Sequence, residues 1–367
     1  MEGNNIMSSL LSKLKKNTTL KHVDTMASSQ FFNGVKPIKT EVPILNLALS
    51  GSLHGGVMPG LITVAAPSKH FKSGLSLYMV SAYMKAHPES VCLFYDSEFG
   101  SPPAYLTSYG IDLGRVLHTP VTNIEDLRTD ITNQMDGIDR GDKVIIFIDS
   151  IGNLASKKET KDALDGNEKA DFTRAKVLKS MFRIITPQLL LKNVPCIVIN
   201  HVYDSLEMFS KPIMGGGTGA LYSSNVILYI SKAQEKDGTD LTGFKFTLTT
   251  EKSRGVREKS KFPLHVAFGS GINKYSGLLD LALELDFCRK PKNGWYSRVI
   301  DGKLEEKSWR ANNTNCAEFW DVILNDPAFE KECNKRYMLT KDEIDESTLE
   351  NLDDDLELTD DDFADLD

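Results

Sequence analysis

A membrane-length apolar run and a usable cysteine pattern are both missing from this 367-residue chain. No stretch approaches the ~20 consecutive apolar residues that a membrane helix needs. Lys13, Lys15 and Lys16 near the start lack the apolar region that would make them part of a secretion signal. These absences point to the cytosol. The five cysteines, Cys92, Cys196, Cys288, Cys316 and Cys333, are odd in number and lack paired metal-site spacing. That argues against a zinc site or a disulfide scaffold. Cys92 and Cys196 sit inside apolar, strand-like runs and read as core thiols. Internal repeats are missing too. So are basic residues at the far end, where 342–367 holds 14 Asp and Glu but no Lys or Arg. The net charge of −8 therefore conceals a body, 1–341, with 43 basic and 37 acidic residues and a net of +6. Such a tail is expected to remain solvated and disordered. It is also a polyanion able to compete with nucleic acid for the basic body.

What is present suffices for a core: 41% hydrophobic and 26% charged residues are ordinary for a globular chain. Apolar β-type runs occur at 61–65, 91–96, 144–149, 194–200, 226–230, 244–250 and 264–268, and helical patterns at 73–86 and 171–186 lie between them. Strands apolar on both faces and alternating with helices predict an α/β fold with a mostly parallel, doubly wound sheet. The last two runs alternate more and follow each other closely, which predicts an antiparallel extension. Residues 7–33 read as an amphipathic helix and a polar connector ending in Phe31 and Phe32. The division expected is an N-terminal helical arm (1–35), the main core (36–276), a small C-terminal α+β subdomain with Trp295 and Trp309 (277–340), and the acidic tail (341–367).

The run 61–65 leads into Ala66, Pro67, Ser68, Lys69, His70, Phe71, Lys72, Ser73 and Gly74, where a helix is expected to start. A strand, a turn of backbone N–H groups, then Lys and Ser opening a helix is the pattern that cradles phosphates. Lys72 would reach the β- and γ-phosphates of ATP and Ser73 would hold Mg2+. The glycines usual at the two ends of such a loop are Ala66 and Phe71 here, and a positive φ at Ala66 would strain its methyl group. Context strengthens the pattern. The run 144–149 ends at Asp149, a second candidate for Mg2+; the run 91–96 leads to Glu98, placed to polarise water; the run 194–200 leads to His201. Ligands bind at that carboxyl edge in open α/β sheets.

The segments PSKHFKS, CLFYDSEFG, FIDSIGNLASKKET, INHVY, MFSKPIMGGGTGALYS, EKSR, SGLLDLALEL and KPKNGWYSR resemble RecA-type recombinases, above all their T-even phage branch, from about residue 31 to 320. The resemblance implies a RecA-like P-loop ATPase core. It makes Glu98 the carboxylate that activates water, Asp149 the Mg2+-site aspartate, Tyr105 the aromatic that stacks on adenine, and His201 the γ-phosphate sensor. Lys252 and Arg254 become cations that reach ATP on a neighbouring subunit.

Two loops follow the strands. Residues 152–169 carry Lys157, Lys158 and Lys161; residues 202–223 carry Met208, Phe209, Lys211, Met214, Gly215, Gly216, Gly217, Thr218 and Gly219. From residue types alone, a glycine-rich lid over ATP fits the second loop as well as DNA contact does. The resemblance selects DNA, with lysines supplying salt-sensitive affinity and the apolar side chains stacking on bases. Arg174, Lys176, Lys179 and Arg183 on the helix behind read as surface charge. The function implied is ATP-dependent filament formation on single-stranded DNA, with strand exchange into homologous duplex DNA. By family, a mediator and a single-strand-binding protein would be partners, in the cytoplasm of an infected bacterium. The alternatives are a hexameric helicase with the same core and a structural DNA coat locked by nucleotide.

Overall fold

Strands whose residues are apolar on both faces persist only where helices cover both sides of a sheet. The computed structural model, which describes residues 2–20, 23–29, 35–166, 173–204, 212–215, 219–269 and 271–339, is built that way. In chain order its first elements are α1 (Glu2–Asn17), α2 (Pro43–Ser50), β1 (Gly60–Ala66), α3 (Lys72–Ala86), β2 (Val91–Asp96), α4 (Pro103–Ser108), β3 (Val116–Pro120), α5 (Ile124–Gly137) and β4 (Val144–Asp149). Then come α6 (Lys157–Leu164), α7 (Thr173–Lys192), β5 (Pro195–Asp204), β6 (Pro212–Met214), α8 (Gly219–Ser223), β7 (Val226–Asp237), β8 (Asp240–Ser253), β9 (Lys261–Ala267) and β10 (Gly271–Ile272). The last are α9 (Leu278–Glu284), β11 (Cys288–Lys292), β12 (Trp295–Ile300), β13 (Lys303–Leu304), β14 (Trp309–Arg310), α10 (Ala317–Leu324) and α11 (Pro327–Tyr337). The chain divides into two compact units, Met1–Lys36 and Pro37–Asp367. The first contains α1; the second contains all the rest.

The main sheet runs β10-β9-β8-β7-β1-β5-β4-β2-β3, with β6 paired to β5. From β7 to β3 the neighbours are parallel, and β8, β9 and β10 extend them antiparallel. The α/β class and the antiparallel extension are as the sequence predicts. A separate antiparallel sheet of β11, β12, β13 and β14 forms the small C-terminal part, with α9, α10 and α11.

Side chains of the central strands alternate between two cores. Ile145 and Phe147 of β4 join Leu75, Leu77 and Met79 of α3 on one face. Ile146 and Ile148 join Ile131, Met135, Phe182 and Ile185 of α5 and α7 on the other. Each face is sealed by helices, so neither reads as polar in the sequence.

The sequence pattern misses β3, an edge strand with no fully buried residue, whose VLHTP lacks the apolar signature of its neighbours. The run at 226–230 grows to Val226–Asp237 because β8 continues to pair with it beyond the apolar part. The loop expected at 152–169 contains α6, started by a capping box between Ser156 and Glu159. Among the described residues no helix is long and apolar enough to cross a membrane, and no group of His, Cys, Asp and Glu is arranged to hold a metal. Phe31, Phe32 and the tail from 340 onward lie outside the described residues.

Candidate active site

β1 leaves the sheet at Ala66, which is still in register with His201 of β5 and buried in the core. That extended position accommodates the methyl group, so the strain expected at Ala66 does not arise. Positive φ falls instead on Lys69 (59°) and Phe71 (62°). At Phe71, immediately before α3, this conformation costs a non-glycine residue energy. The ring compensates by stacking on Phe246 of β8, with centroids 5.5 Å apart. Gly74 makes room for it: a Cβ there would lie 2.5 Å from the Phe71 ring. Pro67, Ser68 and Lys69 are exposed, and His70 is half-buried.

Lys72 is 7% exposed, and its Nζ donates to the carbonyls of Ala66 (3.1 Å) and Pro67 (3.0 Å). Burial lowers its pKa, while the nearby Glu98 and Asp149 oppose that shift. Ser73 Oγ donates to Asp149 Oδ2 at 2.7 Å. The other oxygen, Asp149 Oδ1, is buried and has no hydrogen-bond partner. Desolvation raises the Asp149 pKa to about 6, with Glu98 and Asp96 adding to the rise. A buried, unsatisfied carboxylate oxygen beside a serine hydroxyl is a donor set suited to a hard cation such as Mg2+. The residues fit the group that the sequence implies.

Strand register brings the remaining members in. Asp96 and Asp149 are paired across β2 and β4. Asp96 Oδ1 accepts from the backbone N–H of Glu98 (3.1 Å) and of Phe99 (2.8 Å), and so fixes the turn that carries Glu98. His118 of β3 holds the other oxygen through Nε2 at 3.2 Å. Glu98 Oε1 accepts from Ser150 Oγ at 2.5 Å and from His201 Nε2 at 2.8 Å. The ionised carboxylate only accepts, so Nε2 of His201 carries the proton. That bond pulls the Glu98 pKa below its ordinary value; burial opposes the shift and Ser150 adds to it.

The structure thus gathers Lys72, Ser73, Glu98, Asp149 and His201 at one edge. In space, β1, β5, β4 and β2 are four adjacent parallel strands. Sequence reasoning missed Asp96, Ser97 and Ser150. Ser97 Oγ accepts from the Ser150 N–H (3.0 Å) and donates to the Ser150 carbonyl (2.7 Å), which ties β2 to β4. The short polar run Asp96-Ser97-Glu98 was the available signal for a side-chain-to-backbone turn. Tyr105 on α4 packs edge-on against Tyr109 at 5.2 Å, its hydroxyl 3.1 Å from that of Tyr109.

Among the described residues no hydrogen bond or ion pair joins Lys252 or Arg254 to this cluster. Lys252 Nζ donates to the carbonyls of Leu221 and Tyr222 at the end of α8, both at 2.9 Å. Burial lowers its pKa, and Arg254 adds to that. Arg254 is exposed.

The two loops are reassigned in part. Lys157 Nζ lies 2.6 Å from Asp126, and Lys158 lies 2.8 Å from Asp162; Lys161 is exposed. Arg174 is not surface charge: it donates to the carbonyls of Leu154 (2.6 Å), Ile151 (2.8 Å) and Gly152 (3.0 Å) and straps the base of the first loop to α7. In the second loop Met214 is 8% exposed, packed with Ala65, Val202 and Ile227, and so belongs to a core rather than to a nucleic-acid face. Gly215 is fixed by the His201 carbonyl and by Asn200. Gly219 is buried where a Cβ would meet the backbone of Lys179 at 2.9 Å, so helix packing accounts for it. Met208, Phe209, Lys211, Gly216, Gly217 and Thr218 lie outside the described residues.

Comparison with known proteins adds two family matches. Residues 6–273 match the RecA N-terminal domain, and residues 275–333 match the C-terminal domain of the bacteriophage T4 recombination and repair protein. The chain is 54% identical over 339 residues to the recombination and repair protein of Enterobacteria phage T4, covering 91% of this chain and 87% of that one. It is 27% identical to RecA of Acholeplasma laidlawii over 306 residues, 82% of this chain and 88% of the relative. RecA of Streptomyces ambofaciens is 25% identical over 291 residues, 77% of this chain and 76% of its own length.

Proposed function

The chain belongs to the RecA family of recombination proteins, and on that premise we propose that it assembles as a helical filament on single-stranded DNA, hydrolyses ATP there, and exchanges strands with a homologous duplex. The observation that carries this reading is the meeting of Lys72, Ser73, Glu98, Asp149 and His201 at the carboxyl edge of four adjacent strands.

The 66–74 loop receives the triphosphate, and Lys72 exchanges its carbonyl partners for phosphate oxygens. Ser73 and Asp149 would hold Mg2+, which supplies neutralisation of charge on the phosphate oxygens when bound. Glu98, kept ionised by the His201 hydrogen bond, accepts the proton of the attacking water. His201 touches Glu98 and stands in register with the start of the phosphate loop, so it couples the state of the phosphates to β5 and the loop beyond it. Tyr105 offers a ring to adenine. Lys252 and Arg254 act on the nucleotide of the adjacent subunit, which makes turnover depend on assembly, as an arginine supplied in trans does.

Lys157, Lys158 and Lys161, with Met208, Phe209, Lys211, Gly216, Gly217 and Thr218 of the second loop, would bind single-stranded DNA, while base pairing supplies sequence recognition. Residues 36–276 serve as the ATPase core, 1–35 as the polymerisation arm and 277–340 as an accessory subdomain. A mediator and a single-strand-binding protein would assist in the cytoplasm of the infected bacterium. The test is strand exchange between homologous DNAs by the purified protein with ATP and magnesium. A closed ring that unwinds duplex directionally, with no exchanged product, would overturn the proposal in favour of a helicase.

A further inference from the structure

Two residues of the 66–74 loop that are not glycine hold positive φ, Lys69 at 59° and Phe71 at 62°. Left-handed backbone costs such residues energy, and it persists only where surrounding contacts hold it. Phe71 also stands at the N-cap of α3, a position that favours an extended Ser, Thr, Asp or Asn, and its side chain makes no capping hydrogen bond. The cap therefore does nothing to hold the turn.

Both positions are held from outside the loop, and from one place. Lys232 Nζ of β7 donates to the Lys69 carbonyl at 3.1 Å, and the Phe246 ring of β8 stacks on Phe71 with 23° between the planes. Lys232 and Phe246 are direct partners in the antiparallel register of β7 and β8, so their side chains share one face of this two-stranded ribbon. Phe244, two residues from Phe246, lies on that face too. Lys232 Nζ sits 4.9 Å from the centre of the Phe244 ring, which is 6.1 Å from the Phe246 ring. An aromatic face attracts a cation, so Phe244 steers the exposed Lys232 toward the Lys69 carbonyl. Phe246 is 3% exposed and anchors the whole arrangement in the core.

We infer that Lys232 and Phe246 are positioning residues for the triphosphate: the β7–β8 ribbon holds Lys69 and Phe71 in the left-handed backbone that glycine would adopt unaided. The inference rests on the reading of 66–74 as the phosphate loop. Both residues act through that loop, one on its carbonyl and one on its ring. Their loss leaves the groups at the strand ends in place and makes nucleotide reorder the loop as it binds. The cost therefore falls on nucleotide affinity rather than on the chemical step.

The experiment measures binding of a fluorescent ATP analogue to the full-length chain with magnesium and without DNA, then ATP turnover with single-stranded DNA. Lys232→Met keeps the side chain's length and removes the donor. The dissociation constant and the KM for ATP should rise about 3–10-fold, with kcat at saturating ATP kept within about twofold. Lys232→Arg should recover most of the loss. Lys236→Met, further along β7, removes the same charge without the contact and should leave both constants unchanged. Equal losses at 232 and 236 would reduce the effect to diffuse charge and overturn the inference. So would a Lys232→Met protein that binds nucleotide normally and loses only DNA affinity. Phe246→Leu should weaken nucleotide binding while Phe71 is present and have little effect beside Phe71→Gly, where no ring remains to be held. Weakening of the same size in both backgrounds removes Phe246 from the role. Lys72→Met tests the underlying reading separately: normal nucleotide binding in that variant would take the phosphate loop away from 66–74. Loss there, with no effect at 232 and 246, would keep the loop and sink the positioning role.

Discussion

At the ends of β1, β2, β4 and β5, polar side chains meet because parallel register puts them level, and burial leaves each few alternatives. In and behind the loops beyond those strands, residues are occupied with internal work: Arg174 of α7 ties carbonyls, Met214 fills a core, and Gly219 clears a helix. A strand end offers its chemistry to a ligand because the sheet already satisfies its backbone. A loop must first satisfy itself, so charge and glycine content overstate what it has left for a partner.

The largest expected effect tests the strand ends. Glu98→Gln keeps the shape and removes the proton acceptor, so DNA-stimulated ATP turnover should drop by about 10²–10⁴-fold with nucleotide binding retained. Retained turnover in steady-state assays would place the base elsewhere and break the contrast at its stronger side.

Asp149 offers the next largest effect, one of stability. Its pKa rises from 3.8 to about 6 in the fold because the buried carboxylate resists ionisation. The ionised group therefore destabilises the free protein above that pH, and the cost disappears as pH falls toward the unfolded value. Asp149→Asn should stabilise the free protein by about 3 kcal/mol at pH 7.5 and by little near pH 4. Urea midpoints at the two pH values check this; a pH-independent gap would show that charge burial is not the cause. Met214→Ala should cost about 2 kcal/mol, read as thermal destabilisation without DNA present. Lost DNA affinity at unchanged stability would return Met214 to the nucleic-acid face.

Much of the strand-end site was legible because strands apolar on both faces announce themselves: Asp149 ends such a run, and Glu98 and His201 stand two residues and one residue beyond others. Asp96 was hidden by its proximity to Glu98: a carboxylate with one oxygen spent on backbone N–H groups and the other on His118 looks in sequence like one that is free. β3 was hidden because an edge strand has little to bury. Phe71 in place of glycine is intelligible only with Phe246, which is 175 positions away in the chain. The roles proposed for Lys252 and Arg254 have no local signature at all; charges at a strand end read as solvated in the sequence of one chain.

The smallest effect tests the loops. Lys158 is paired with Asp162 one helical turn away, and Lys157 with Asp126 of α5. To reach a phosphate each must give up a carboxylate, and an exposed pair of this kind is worth about 0.3–0.5 kcal/mol. Lys161 is exposed and pairs with no carboxylate among the described residues. Lys161→Ala should therefore weaken single-stranded DNA binding about twofold more than Lys158→Ala, and each should reduce the slope of log affinity against log salt by about 0.7. Titrations across salt concentrations separate the two quantities. Equal losses for Lys157→Ala, Lys158→Ala and Lys161→Ala would mean that the loop acts as a diffuse field, in which internal pairing no longer ranks its charges.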